Sequence, residues 1–189
     1  MGLNKTIAKI GIAPMNVSSA GAISYENVLW LESTKAGGRE INAKPKGELR
    51  EIFADGLAVI SNNNKAGYDI DLTLLSVIDD IEEKLYGNTK TSSGDIIETG
   101  GVVAAPLFAL LAAKETYNSD KLYEVDTYYS CTASQAERHD KTAENDFNPE
   151  FPTIPIVARP RFTDKVIRFT KYVDTLPTTV PEPTEQAGS

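Results

Sequence analysis

The chain is expected to fold as a mainly β protein, an antiparallel sandwich or barrel with one flanking α-helix over about residues 76–86. Three observations predict this. Short runs alternate apolar and polar residues, as in YDIDLTLL (68–75) and LYEVDTYYSCT (122–132). Clusters of Gly, Asn, Asp, Ser and Pro separate those runs. Only one stretch, SVIDDIEEKLYG (76–87), shows clear helical spacing.

The elements follow in order. KIGIAPM (9–15) is a strand candidate, and AISYENVLWLE (22–32) a strand ending near Trp30. STKAGGRE then reads as a long flexible loop near 33–39, with Lys35 and Arg39 flanking Gly37-Gly38. Asp55-Gly56 between ELREIFA and LAVIS is a hairpin signal, and NNNKAG (62–67) reads as another loop. In the strand 68–75, Tyr68, Ile70, Leu72 and Leu74 share one face, and Asp69, Asp71 and Thr73 the other.

The helix has Val77, Ile78, Ile81 and Leu85 on one stripe, which predicts that these four residues pack it on the sheet. Ser76 is placed as its N-cap with Asp79 three residues on, Asp79 and Asp80 suit the first turn, and Lys84 the last. Gly87 supplies the left-handed stop. So short a helix needs a sheet to cover its stripe.

After the polar stretch NTKTSSGD, the run VVAAPLFALLAAKET is read as a strand because of Pro106 and its β-rich surroundings. YNSDK is a turn, and in 122–132 Tyr123, Val125, Thr127, Tyr129 and Cys131 fall on one face. The segment 133–150 is a polar loop. Pro152, Pro155 and Pro160 suit FPTIPIVARPRF to an edge strand or an extended segment. DKVIRFTKYV is the last strand, for eight to ten in all. Residues 1–173 thus form one β domain, and 174–189, rich in Pro, Thr and Glu, a flexible arm.

Net charge is −8, against a basic nucleic-acid-binding surface. The balance is uneven, with seven basic and four acidic residues in 1–50 and twelve basic and twenty-three acidic in 51–189. A single cysteine, Cys131, forms no internal disulfide and points to an intracellular folding site. MGLNKTIAKIGIAP lacks the apolar core of a signal peptide, and the longest apolar run, Val102–Ala113, is too short to span a bilayer.

Catalytic motifs are weak. His139, the only histidine, lies between Arg138 and Asp140 in the polar loop, with no spacing that makes a triad. Cys131 reads as a buried thiol. Asp69–Asp80 matches a calcium loop only at its first and third positions, and no P-loop, dinucleotide fingerprint, C-x-x-C or H-E-x-x-H is present. No enzyme activity, cofactor or metal is expected.

YENVLWLESTKAGGREINAKPKGELREIFADG, then GYDIDLTLLSVIDDIEEKLYG, resembles the major tail protein of long-tailed, non-contractile phages of Gram-positive bacteria. PLFALLAAKETYNSDKLYEVDTYYSCTASQAERHDKTAENDFNPEFPTIPIVARP carries the same order of apolar strand, charged turn, aromatic strand and polar loop. The likeness runs from about Ile7 to Tyr172 and makes 1–173 a tail-tube-like domain. It implies a non-enzymatic virion protein that assembles in the host cytoplasm into stacked hexameric rings, the tail tube. Implied partners are other copies of itself, the tape measure protein, the tail terminator and distal tail or baseplate proteins. DNA is only transient cargo, and no membrane is involved. Stacking needs head-to-tail contacts, for which Ser33, Thr34, Lys35, Ala36, Gly37, Gly38 and Arg39 are the expected inter-ring residues. The alternatives are a tube protein of a phage-derived particle without DNA, a secreted or surface β-sandwich binding module and, last, an enzyme with a loop-built site.

Overall fold

The computed structural model describes residues 6–54, 57–101, 104–117, 120–137 and 150–183, with backbone alone over 49–54 and 57–63. Among these, eleven strands and one helix are present: β1 Ile7–Val17, β2 Ile23–Tyr25, β3 Leu29–Trp30, β4 Gly38–Ala54, β5 Leu57–Leu74, α1 Asp79–Tyr86, β6 Thr89–Lys90, β7 Ile96–Ile97, β8 Phe108–Glu115, β9 Tyr123–Ala133, β10 Thr153–Ala158 and β11 Arg168–Val173. The fold is mainly β and antiparallel with a single helix, consistent with the expected sandwich.

The main sheet runs β2-β1-β8-β9-β10-β5-β4, with β3 also on β1 and β11 also on β9. Strand β8 is apolar from Phe108 to Ala113 because both of its faces are buried there. Phe108, Leu110 and Ala112 enter one buried cluster, and Ala109, Leu111 and Ala113 enter a second on the opposite face. The first cluster joins Ile10 and Ile12 of β1, Ile70, Leu72 and Leu74 of β5, Ile154 and Ile156 of β10, and Ile81 and Leu85 of α1. The alternation in β5 therefore holds, with its apolar set inward. In the second cluster Ala13, Val125 and Tyr129 are covered by Val180, with Trp30, Phe169 and Leu176 at its margin. The sheet curls enough to bring its far strands together. A Cβ added to Gly38 of β4 would lie 2.4 Å from Cγ1 of Ile10 in β1.

Several expectations are corrected. The helix starts at Asp79, not Ser76. Ile78 holds the N-cap position without a side-chain cap, while the Ser76 hydroxyl donates to the Lys35 carbonyl instead. Gly87 does end the helix, at φ 74°, with its N–H on the Glu83 carbonyl 3.1 Å away. Residues 22–32 form two short strands rather than one: the β1 register shifts between Tyr25 and Leu29, where the Val28 N–H leaves β1 for the Thr178 carbonyl. NNNKAG is not a loop but part of β5, paired with Lys46–Arg50 of β4. NTKTSSGD contains β6 and a tight Thr91–Asp95 turn, where Thr91 N–H bonds Asp95 O at 2.8 Å.

Strand β10 is interior, between β9 and β5, despite Pro155. The Pro155 carbonyl accepts from Ser134 N–H at 2.9 Å, so its missing donor points the same way, just past the end of the β9 ladder. Cys131 does not share a face with Tyr129. Ser130, at φ 49°, makes a bulge that puts Tyr128 and Cys131 in the first cluster and Tyr129 in the second. Finally, residues 174–183 are not a free arm; they lie packed across the second face of the sheet.

Candidate functional site

The expected inter-ring segment is a tight turn followed by the start of β4, so the long loop near 33–39 is corrected. Its geometry comes from local bonds: Lys35 N–H and Ala36 N–H both reach the Glu32 carbonyl, and Leu75 N–H reaches Gly37 O at 2.8 Å. Ser33, Thr34 and Lys35 are exposed, whereas Ala36 is buried and belongs to the first cluster. Lys35 pairs with Glu32 at 2.9 Å, both side chains well exposed. Gly38 and Arg39 lie in β4, and the Arg39 guanidinium stacks 3.6 Å from the Phe151 ring centroid. The seven residues are thus contiguous, but only the first three and Arg39 present exposed side chains.

The four helix-packing residues divide. Ile81 and Leu85 are fully buried, while Val77 and Ile78 are half-buried against the same cluster and precede the helix proper.

Below the sheet, the β4–β5 hairpin continues alone. Strand β10 pairs β5 only over 68–73, whereas β4 and β5 remain paired from Gly47↔Lys65 to Ala54↔Leu57. The eight residues Gly47–Ala54 give an arm of roughly 26 Å at about 3.3 Å per residue. Asp55 and Gly56, the predicted turn, lie outside the described residues, but the register on either side is that of a two-residue hairpin. Gly67 sits at the arm's root with φ 139°, and a Cβ there would come within 2.2 Å of the Ala158 carbonyl oxygen. Just above the root, Lys44 and Lys46 pair with Asp71 and Asp69 at 3.1 and 2.6 Å. The two aspartates of the partial calcium-loop match are therefore held by lysines.

Two polar clusters were not foreseen. Arg161, 6% exposed, is gripped from both sides. Its Nε and Nη2 fork onto Asp164, its Nη1 bonds Glu182 at 2.8 Å, and it lies 4.3 Å from the Tyr129 ring centroid. Burial opposes the Arg161 charge, but its hydrogen bonds to Asp164 and Glu182, with the charges around it, outweigh burial and raise its pKa. The same fork holds the Asp164 carboxyl below its usual range. The Tyr129 hydroxyl, whose pKa burial raises, donates to the Pro181 carbonyl. The Arg161–Asp164 spacing was visible in the sequence, but Glu182 lies in the segment read as a free arm.

The second cluster joins β8, β9 and β11. Asp126, 3% exposed, accepts from Lys114 Nζ and Thr170 Oγ1, each at 2.5 Å. Burial raises the Asp126 pKa, yet the hydrogen bonds from Lys114 and Thr170 together with the Lys114 and Arg168 charges outweigh it and leave it lowered. Cys131 is fully buried, and burial pushes its thiol up to about 12, which suits packing rather than nucleophilic chemistry.

An open groove of about 800 Å³ lies between α1 and the segments that flank 138–149, lined by Val77, Glu82, Tyr86, Ala136 and Phe151 among others. Arg138, His139 and Asp140 lie outside the described residues. Among the described residues, no group of three or more His, Cys, Asp or Glu is placed to hold a metal, and no helix is long and apolar enough to cross a membrane. No protein-family model, no curated protein and no solved structure matches the chain.

Proposed function

We propose that this chain is the tube subunit of a long, non-contractile phage tail. Copies form hexameric rings, and rings stack into a tube that encloses the tape measure protein and later conducts DNA. The role is structural rather than catalytic.

The free-standing β4–β5 arm carries this proposal. A lone two-stranded ribbon is at best marginal in water. This one has no third strand among the described residues, and its tip sequence, IFADGLAVI, has seven apolar residues in nine. Such an element is explained if a neighbouring copy covers it. The acidic excess supports the conduit role, because like charge keeps DNA from adhering to a wall. The exposed Ser33–Lys35 turn and Arg39 offer a second, cationic contact for an acidic surface of the next ring.

Shortening the arm tests this directly. Joining Glu48 to Asn64 through an Asn-Gly turn removes the tip but keeps the pairing beside β10. The shortened chain is expected to fold, by circular dichroism, and to form no sedimentable tubes. The double reversal Lys35→Glu with Arg39→Glu is expected to leave rings but block their stacking. Tubes of normal length from both variants would contradict the assignment of these contacts. The groove beside α1 favours a second reading, a binding module. That reading predicts a saturable ligand and a stable monomer at all concentrations.

A further inference from the structure

We propose that the C-terminal segment Asp174–Pro183 is an exchangeable strap: it lies in a groove of its own chain and takes the same groove of a second copy, joining the two. The groove offers donors along one path. Val28 N–H and the Trp30 indole Nε1–H each reach a strap carbonyl at 2.8 Å, those of Thr178 and Pro177. The Tyr129 hydroxyl reaches the Pro181 carbonyl, and Arg161 reaches Glu182. Val180, 8% exposed, fills the apolar space between them.

These contacts select their occupant by chemistry. Arg161 is a buried cation that Asp164 grips on one side only, so the groove needs a second carboxylate beside an apolar side chain and a row of carbonyls. The strap of another copy supplies the same set by identity. Exchange also costs little. The strap forms no strand of its own among the described residues, and Pro177, Pro181 and Pro183 restrict its backbone, so less entropy is lost on docking. Its hinge follows β11, where the ion pair of Asp174 with Lys121, at 2.6 Å, is about half exposed and so weak. A segment attached by an exposed hinge and docked by a few separate contacts rather than by a strand ladder is the form that passes between identical chains.

The exchange rests on the self-assembly proposed above, since it needs a second copy. Trp30 is the only tryptophan and touches the strap directly, which gives a specific probe. A chain with Trp30→Phe and Thr179→Cys, carrying a nitroxide quencher on the new thiol, emits no tryptophan fluorescence. Cys131 is fully buried, so labelling is selective. Mixed with unlabelled wild type, this chain is expected to quench Trp30 emission progressively, towards the level of a chain labelled at Thr179→Cys that retains Trp30. Glu182→Lys in the labelled chain should abolish the trans quenching. The same label at Ser92→Cys, on the exposed β6–β7 turn, should give none. Absence of trans quenching while the cis control quenches would overturn the exchange, as would equal quenching from Ser92. Tubes without trans quenching defeat only the exchange; trans quenching without tubes defeats only the tube.

Discussion

Asp126 and Lys114 tie the middle of the sheet through a charge pair with almost no access to solvent on the carboxylate side. Removing the Asp126 charge leaves Lys114, itself partly exposed, with only the more distant Glu124 at 4.0 Å, a cost of about 2 kcal/mol. Asp126→Asn is therefore expected to lower the urea midpoint at pH 7. The folded-state pKa of Asp126 is depressed, so its contribution is complete above the unfolded carboxyl value of about 3.9 and is lost as pH falls through the lower folded value. The gap between wild type and Asp126→Asn should thus narrow below about pH 4. A gap independent of pH across that range would show that the pair adds nothing through charge. Cys131 gives a second check at this scale. With its thiol raised to about 12 and no exposed surface, it should react with an aromatic disulfide reagent only as fast as the chain unfolds.

The helix stripe, the alternation of β5 and the pairing of β4 with β5 were legible in the sequence because each depends on neighbours in the chain. What the sequence hid depends on partners far away. Ser76 has the right chemistry for a cap, but a carbonyl forty-one residues earlier takes its hydroxyl. NNNKAG has turn composition, yet it pairs along β4 as strand. Pro155 looked like an edge marker, but the ladder beside it stops where its N–H would be needed. The tail from Asp174 has few apolar residues, but Leu176, Val180, Glu182 and its carbonyls meet partners far away in sequence. For the helix, packing rather than capping is the main support. Leu85→Ala, at a fully buried position, should cost about 3 kcal/mol, and Val77→Ala, half-buried and outside the helix, about 1 kcal/mol. Equal losses, read from urea melts, would contradict the helix–sheet contact described here.

At the scale of the whole molecule, one curled sheet is covered on both faces by its own chain, while the β4–β5 arm extends past every other strand it pairs with. The candidate contacts were only partly legible: the cations at 35 and 39 stand out in sequence, but the arm was split by the reading of NNNKAG as a loop. The central claim is that this asymmetry is resolved by other copies, in rings and then in a tube. Negative-stain electron microscopy of the purified full chain, across a concentration and salt series, tests it most directly. Rings or hollow tubes of uniform diameter that grow longer with concentration are the predicted result. Single particles the size of one chain at every concentration and salt, with growth seeded by tail tips also absent, would contradict it.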